Sequence, residues 1–491
     1  MNLEQILQKH FSFKAFRTGQ KEIIQSILEN KNTLALLPTG TGKSLCYQLP
    51  GYILDGIILI ISPLLSLMQD QVEQMKLKGE KRVVAINSFL TFEERNFVLN
   101  NIENYKFIYI SPEMLQNEQI ASIFQKVKIS LLVIDEAHCI SQWGYDFRPD
   151  YLELGNVRKK LGNPVTLALT ATAKFDVRKD IKKYLFMEDA KEYIFSMDRP
   201  NISIQVEKIR DYPEKLQRLI ELVDKLQGPG IIYFSSKKKA DEVAQLLNEK
   251  GLCKVASYHA GLDQEMRILL QQQFLYNQID VMCATSAFGM GVNKENVRYV
   301  IHFHPPLNIE SYLQEIGRAG RDGNESIAIM LYSEDDFFLQ QQLLENELPN
   351  DTHIDVFTDL VRSSNKTNDF SRNQPYPGYS EVHWRILWKY YESSNGVHEF
   401  QSTMKSFVKT RLQIKKEKLQ ELINWILTNG CRRKNILHIF EQEETKRVSN
   451  CCDFCGIDFT RFKKQEKLKL SEKTWMWRDR LKSIFQIEEL K

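Results

Sequence analysis

The stretch TLALLPTGTGKS, Thr33–Ser44, is the clearest indication of the fold in this chain of 491 residues. A short apolar run reaches a proline and is followed by two glycines, a lysine and a segment of helical period. Comparable apolar runs recur with amphipathic segments between them, among them GIILIIS, LLVIDE, GIIYFS and IAIMLY. Continuous apolar strands that alternate with helices are typical of parallel sheets covered on both faces. The sequence therefore predicts an α/β fold.

The apolar runs form two series, which predict two α/β domains joined near residue 200. The first series ends near Ala173, and the second begins near Gly230, after the turn-rich segment SMDRPNIS. Beyond about Asp336 helical periods replace strands, and a long polar segment lies between about residues 345 and 400. The predicted divisions are residues 1–200, 201–340, a mainly helical region 341–455 and a basic helical tail 456–491.

Charge is distributed unevenly along the chain, whose net charge is +3. Residues 401–491 hold 21 Lys and Arg against 12 Asp and Glu, whereas the first 400 residues hold 45 against 51. A basic end on a slightly acidic body indicates an anionic partner, although solvated helix faces explain such a run equally well. The first ten residues do not resemble a signal peptide, and the apolar runs are too short to span a membrane. We expect a soluble, intracellular protein.

The segment LLPTGTGKS follows a predicted strand and precedes a predicted helix, which is the context of a phosphate-binding loop. Gly40 and Gly42 would let backbone N–H groups turn toward phosphate oxygens. Lys43 would reach the β- and γ-phosphates, and Ser44 would ligate Mg²⁺. The loop departs from the strict pattern at its first position, where Leu37 replaces a glycine.

Two further segments supply charge that phosphoryl transfer would use. At the end of LLVIDE, Asp135 would hold Mg²⁺ and Glu136 would orient and deprotonate the attacking water. In QEIGRAGRDG, Gln314–Gly323, Arg321 with Arg318 beside it would neutralise charge on the γ-phosphate from the second domain. If that segment is helical, the two arginines share one face. The alternatives are a surface acid pair and arginines that form structural salt bridges.

Together these patterns carry a resemblance to a known family. PTGTGKS, DEAH, TAT (Thr170–Thr172), FGMGVNK (Phe288–Lys294) and QEIGRAGR resemble the motifs of a superfamily 2 helicase. FRTGQ (Phe16–Gln20), GKSLCYQLP, DEAHCISQWGYDFRPDY and CRRK are similar to those of the RecQ family of DNA helicases. The resemblance implies two RecA-like motor domains driven by ATP and Mg²⁺.

The resemblance also implies roles for individual residues. It implies an ATP site formed by Phe13, Arg17, Gln20, Thr39, Gly40, Thr41, Gly42, Lys43, Ser44, Asp135, Gly291, Asn293, Arg318 and Arg321. It implies catalytic roles for Lys43, Asp135, Glu136, Gln314, Arg318 and Arg321. It implies DNA contacts at Ser62, Ser66, Ser111, His138, Trp143, Phe147, Arg148, Ser235 and Thr285.

The loop after DEAH couples DNA to ATP hydrolysis in this family. Trp143, with Phe147 and Arg148, would stack on or clamp a single strand, since stacking a base on an aromatic ring is worth roughly 1–3 kcal/mol whatever the base. His138 would relay that contact toward the acids. Core packing is the alternative for Trp143 and Tyr145.

Four clustered cysteines, Cys431, Cys451, Cys452 and Cys455, suit a tetrahedral Zn²⁺ in a reducing compartment, and the family carries such a structural site. Cys451 and Cys452 are adjacent, and two neighbouring ligands on one ion would strain the backbone. The alternatives are a distorted site, a site completed by His438, or a lost site.

Only 36 residues follow Cys455, too few for the winged helix that carries the duplex-splitting hairpin in longer relatives. The tail would grip phosphates or dock as a helix. The predicted function is a 3′→5′ DNA helicase of repair and recombination, a monomer of the bacterial cytoplasm and nucleoid. Its expected partners are single-stranded and duplex DNA, with single-strand-binding or recombination proteins. A DNA-stimulated ATPase scaffold, an RNA helicase and a small-molecule kinase are the rival functions.

Overall fold

A computed structural model of the chain describes residues 2–63, 65–87, 90–141, 148–289, 294–363, 375–443 and 448–464. The first domain contains seven strands: β1 (Thr33–Leu36), β2 (Ile57–Ile61), β3 (Val83–Ile86), β4 (Phe107–Ile110), β5 (Ile129–Ile134), β6 (Thr166–Thr170) and β7 (Lys191–Ile194). They form one parallel sheet in the order β3-β4-β2-β5-β6-β1-β7. The apolar runs form its central strands because the side chains of β1, β2 and β4 are buried on both faces of the sheet.

The helices of the first domain cover both faces of this sheet. They are α1 (Leu3–Phe11), α2 (Gln20–Leu28), α3 (Leu45–Gly51), α4 (Leu65–Leu77), α5 (Phe92–Asn100), α6 (Pro112–Leu115), α7 (Glu118–Phe124), α8 (Leu154–Lys160) and α9 (Phe175–Tyr184). Two separate apolar cores result, one on each side of the sheet.

The second domain repeats this architecture with six strands: β8 (Ile202–Lys208), β9 (Gly230–Tyr233), β10 (Val255–Tyr258), β11 (Val281–Ala284), β12 (Tyr299–His302) and β13 (Ser326–Tyr332). The order is β10-β11-β9-β12-β13-β8, again parallel throughout. Its helices are α10 (Tyr212–Lys225), α11 (Lys237–Glu249), α12 (Gln264–Leu275) and α13 (Ile309–Ile316). The predicted α/β class with two RecA-like domains is confirmed.

The third region is helical, as predicted, but it is divided between two cores. Its helices are α14 (Asp335–Glu345), α15 (Asp351–Ser363), α16 (Glu381–Glu392), α17 (Val397–Leu427) and α18 (Arg432–Ile439). Helices α15, α16 and the first half of α17 enclose their own aromatic-rich core, and we call this unit the helical module. The second half of α17, α18 and two of the clustered cysteines pack into the core of the second domain.

The helical module occupies much of the segment that the sequence marked only as polar. Two of its helices, α15 and α16, form because Trp384, Leu387 and Phe357 are buried at helical spacing. None of the helices in the described part of the chain is long and apolar enough to cross a membrane. Most of the predicted tail lies outside the described residues, which end at residue 464.

Candidate active site

The phosphate-loop segment Leu36–Ser44 connects β1 to α3 at the carboxyl edge of the first sheet. Gly40 and Gly42 adopt φ values of +83° and +79°, a left-handed conformation in which a side chain is strained. A Cβ atom at Gly42 would also lie 3.0 Å from Nε2 of Gln20. The two glycines are therefore required by the path of the loop.

Three N-terminal residues that the resemblance assigns to the ATP site, Phe13, Arg17 and Gln20, line the same cleft as this loop. The side chain of Gln20 accepts a hydrogen bond from the Arg17 backbone N–H at 2.9 Å and donates to the carbonyl oxygens of Thr41 and Gly42 at 2.8 and 3.1 Å. Arg17 donates to the carbonyl of Gly40 at 2.6 Å. Phe13 is half-exposed at the rim of the same cleft. This N-terminal segment thus shapes the loop as well as the cleft.

The two acids lie where β5 ends, opposite the loop. Nζ of Lys43 is 3.6 Å from Oε1 of Glu136. Glu136 has a φ of +47°, which is rare for a residue with a side chain and is held by the surrounding structure. The Tyr151 hydroxyl donates to the Asp135 carbonyl at 3.0 Å. Burial and the neighbouring Glu136 raise the pKa of Asp135 to about 6, since both disfavour its charged form, and Lys43 partly offsets them.

His138 joins the acids to the TAT segment of the next strand. Its Nδ1 lies 3.4 Å from Oε2 of Glu136 and 3.0 Å from Oγ1 of Thr170. The hydroxyl of Thr170 donates in turn to the carbonyl of Thr172 at 3.2 Å. Because only 2% of His138 is exposed, it lies between these groups and away from the surface. The position fits a relay better than a direct contact with DNA.

The second domain brings its arginines to the same cleft. Helix α13 begins at a cap in which Asn308 accepts a hydrogen bond from the Ser311 N–H at 2.7 Å. The helix ends at Ile316, so Arg318 and Arg321 follow it in residues 317–323, which we call the arginine turn. The two arginines therefore do not share a helical face.

The surroundings of Arg321 make its positive charge less favourable than in water. Burial and the nearby Arg318 and Arg199 lower the pKa of Arg321 to about 9, because each disfavours its positive charge. Arg321, Arg318 and Gln314 line the cleft together with Lys43 and the two acids. A phosphate at this position would stabilise the positive charges of Arg318, which is buried, and Arg321, which is partly buried.

The residues predicted to contact DNA differ in burial and in the part of the structure where they lie. Ser62 and Ser111 follow β2 and β4 and are almost completely buried. Arg148 donates to the carbonyl of Pro63 at 2.8 Å and lines a second interdomain cleft with Ser235. Thr285 follows β11, and its N–H donates to the Tyr258 carbonyl at 3.1 Å.

Five predicted residues cannot be compared with the structure at the level of side chains. Trp143, Phe147, Gly291 and Asn293 lie outside the described residues, and so does the side chain of Ser66.

The four clustered cysteines converge on one point. Their Sγ atoms lie within 4.8 Å of one another, with Cys431 3.6 Å from Cys451 and 3.9 Å from Cys452. Tetrahedral zinc with Zn–S bonds of about 2.3 Å places its sulfurs about 3.8 Å apart, so this donor set fits. Cys455 completes the set, and His438 is not part of the group found in the described residues. The adjacent cysteines both reach the centre, contrary to the concern raised by their spacing.

Sequence reasoning missed two arginines beside the site, of which Arg199 is partly buried and Arg433 is buried. Arg199 lies in the SMDRPNIS segment between the domains, and Arg433 belongs to α18. Their signal was a basic residue in a turn-rich linker and the CRRK pattern, neither of which shows by itself what it contacts. Arg199 donates to the Thr39 carbonyl of the phosphate loop at 2.9 Å.

Two parallel-sheet domains that enclose a phosphate loop, paired acids and arginines have the parts of a nucleotide-hydrolysing enzyme. Three family models match the chain: DEAD/DEAH box helicase over residues 17–181, Helicase conserved C-terminal domain over 214–323, and RecQ zinc-binding over 397–456. The chain belongs to the RecQ family of ATP-dependent DNA helicases.

Relatives of this family differ in how much of their length the chain covers. A probable ATP-dependent DNA helicase RecS of Bacillus subtilis is 44% identical over 99% of this chain and 98% of its own length. ATP-dependent DNA helicase RecQ of Haemophilus influenzae is 42% identical over 69% of this chain, which corresponds to 55% of that protein.

Solved structures agree with the fold at low sequence identity. The helicase MrfA bound to DNA has a TM-score of 0.57 at 18% identity and covers 80% of this chain and 60% of its own. The Mycobacterium smegmatis helicase Lhr bound to ssDNA and AMP-PNP has a TM-score of 0.55 at 20% identity and covers 69% of this chain and 49% of its own. At these identities the similarity concerns the fold alone.

Proposed function

We propose that this chain hydrolyses ATP to move 3′→5′ along single-stranded DNA and to separate duplex DNA during repair and recombination. The observation that carries the proposal is one cleft lined by Lys43 and Glu136 from the first domain and by Arg318 and Arg321 from the second. A nucleotide held by both domains would favour the closed arrangement. Binding of ATP would therefore close the cleft, and its hydrolysis and release would open it.

Each group in the cleft has a separate task in this proposal. Lys43 would hold the β- and γ-phosphates, and Arg321 would neutralise charge that develops on the γ-phosphate. Glu136 would orient water and accept its proton. Ser44 and Asp135 would hold Mg²⁺, which would screen the phosphate charge.

The proposed path of DNA crosses the carboxyl edges of both sheets. Ser235 and Thr285 follow β9 and β11 at this edge of the second domain, and Arg148 lies at the interdomain cleft. A strand bound across both domains would be displaced by their relative motion. His138, whose Nδ1 lies 3.4 Å from Oε2 of Glu136, would transmit the presence of the DNA strand to Glu136.

Strand displacement tests the proposal. The substrates are DNA duplexes with a 3′ or a 5′ single-stranded tail and a matched RNA duplex, and the control is Lys43→Ala. We expect displacement of the 3′-tailed DNA that requires ATP and is lost in the control. Hydrolysis stimulated by DNA without displacement would favour a scaffold, and displacement of RNA alone would favour an RNA helicase.

We further propose that the ion held by the four cysteines is Zn²⁺, in a structural role. The distances between the sulfur atoms support this assignment. Four cysteine ligands would fill all positions of a tetrahedral ion, as in structural zinc sites. Metal analysis of purified protein should find about one equivalent of zinc, and Cys451→Ser should lower it. Full-length protein with no zinc would refute the assignment.

We also propose a monomer in the bacterial cytoplasm that is associated with the nucleoid through DNA. Light scattering at several concentrations and imaging of a fluorescent fusion test these two statements. A stable dimer, or a fusion that is excluded from the nucleoid, would contradict them.

A further inference from the structure

The segment between β7 and β8 connects the two motor domains, and we call residues 195–201 the linker. The guanidinium of Arg199, near its centre, donates hydrogen bonds to carbonyl oxygens on both sides of the cleft. These are Thr39 at 2.9 Å, Gly317 at 3.2 Å, Ala319 at 3.0 Å and Gly320 at 2.7 Å. One planar group therefore joins the phosphate loop to the arginine turn.

The two segments that Arg199 joins are in close contact with each other. A Cβ atom at Gly317 would collide with the side chain of Thr39. A Cβ atom at Gly40 would lie 3.0 Å from both Nη1 of Arg199 and Cγ of Arg321. Arg199 thus occupies the point where a small displacement would change the distance between the two domains at the phosphate end of the cleft.

The chemistry of arginine suits this position. A guanidinium presents five N–H donors in a rigid fork, so several carbonyls bound to it are fixed relative to one another. Lysine would keep the positive charge but has three donors on a point-like ammonium. Burial and the nearby Arg17 lower the pKa of Arg199, because both disfavour its positive charge.

The third region holds the backbone of the linker. Arg433, on α18, forms an ion pair with Asp198 and donates to the carbonyl of Arg199 at 3.0 Å and to that of Ile202 at 2.5 Å. Helix α18 itself begins after Cys431, whose sulfur accepts from the backbone at the helix start. The linker is therefore fixed from outside while its arginine reaches into the cleft.

We propose that Arg199 is a positioning residue for ATP hydrolysis, which sets the distance between the phosphate loop and the arginine turn so that Arg318 and Arg321 meet the γ-phosphate in the closed state. This inference rests on the proposed function. Arg199 acts through the backbone of other residues and does not itself touch the reacting atoms. Its loss should therefore impair turnover more than nucleotide binding.

Steady-state ATP hydrolysis with and without single-stranded DNA tests the inference in three variants of the full chain. Arg199→Ala should lower kcat by about 10- to 100-fold, because a misplacement of about 1 Å can cost 10²-fold in rate. Its KM for ATP and its Kd for a fluorescent ADP analogue should stay within threefold of wild type. Arg199→Lys should recover part of the lost turnover. Arg210→Ala, which removes an exposed arginine paired with Asp211, is the control and should match wild type.

The outcomes separate positioning from its alternatives. A kcat for Arg199→Ala within twofold of wild type would overturn the inference, and so would a loss confined to KM and ADP affinity. Arg199→Lys that equals wild type would show that the fork is not needed and would also overturn it. If Arg199→Ala melts at a much lower temperature, the kcat-to-KM split in Arg199→Lys decides. Wild-type protein that hydrolyses ATP without displacing DNA contradicts the proposed helicase function and leaves this comparison intact.

Discussion

Replacing Glu136 by glutamine should separate nucleotide binding from hydrolysis. The substitution keeps the shape of the side chain and an acceptor oxygen, but it removes the negative charge that lies 3.6 Å from Nζ of Lys43 and 3.4 Å from Nδ1 of His138. A glutamine cannot accept a proton from the attacking water. A positioned general base contributes about 10²- to 10⁴-fold, so kcat should fall by at least about 100-fold.

The same substitution should tighten nucleotide binding. Two unit charges 3.6 Å apart attract by about 5 kcal/mol at an effective dielectric constant of about 20, before the cost of desolvation. The side chains of Lys43 and Glu136 are only 17% and 10% exposed, so little water screens them. Phosphates must compete with Glu136 for Lys43. If about 1 kcal/mol of that attraction is released, Kd falls about fivefold.

Titration with a fluorescent ATP analogue and single-turnover phosphate release measure the two effects separately. Asp135→Asn is the matched control. Removing the Asp135 carboxylate should weaken Mg²⁺-dependent nucleotide binding, and Glu136 stays in place. Glu136→Gln that hydrolyses ATP within tenfold of wild type would refute the role of general base. A Kd equal to that of wild type or weaker would refute the competition between Glu136 and the phosphates.

Three further predictions concern other contacts. Lys389 of the helical module pairs with Asp150 at 2.5 Å, so Lys389→Glu and Asp150→Lys should each lower DNA-stimulated turnover. The double swap should restore turnover, with a coupling energy of about 1 kcal/mol between the two positions. Equal defects in the two single variants and the double variant would contradict the contact. Lys215 pairs with Asp336 at 2.5 Å in the buried core, so Lys215→Met should cost about 3–5 kcal/mol in urea unfolding, and added Asp336→Asn should recover most of it. Burial raises the pKa of Asp70 from 3.8 to about 7, so the stability that its protonated form provides at low pH is lost progressively between those two pH values. Asp70→Asn should therefore raise Tm at pH 8 and have little effect near pH 4, and a pH-independent difference would count against this.

The strands and the phosphate loop were predictable because their signals are local. The run that forms β2, for example, is buried on both faces, which only a covered parallel sheet requires. Glycines at 40 and 42 indicate positive φ directly, and both have it. Because β1 and β5 run parallel in one sheet, the end of β5, with Asp135, lies at the same edge as the loop.

The remaining features depend on contacts between distant residues. Arg199 binds carbonyls 118 to 121 positions later in the chain, as well as Thr39, which is 160 positions earlier. No periodicity reports such pairs. The convergence of Cys451 and Cys452 likewise depends on pairing with β8, where Ile204 donates to the Cys451 carbonyl at 3.2 Å and forms a bridge with Cys452. Spacing alone therefore left a distorted or incomplete site open as an alternative to the predicted zinc site.

Helix α17 runs from the helical module into the second domain. Its 31 residues span about 46 Å at 1.5 Å per residue. Met404 in its first half is buried in the helical module, Leu422 in its second half is buried in the second domain, and Leu412 packs against both cores. One continuous helix therefore joins the helical module to the core of the second domain. Lys389 of that module pairs with Asp150 of the first domain, so the module contacts both domains. This contact lies two residues after Arg148, next to the loop that the resemblance assigns to DNA, so a change in it would be felt where the proposed DNA path meets the first domain.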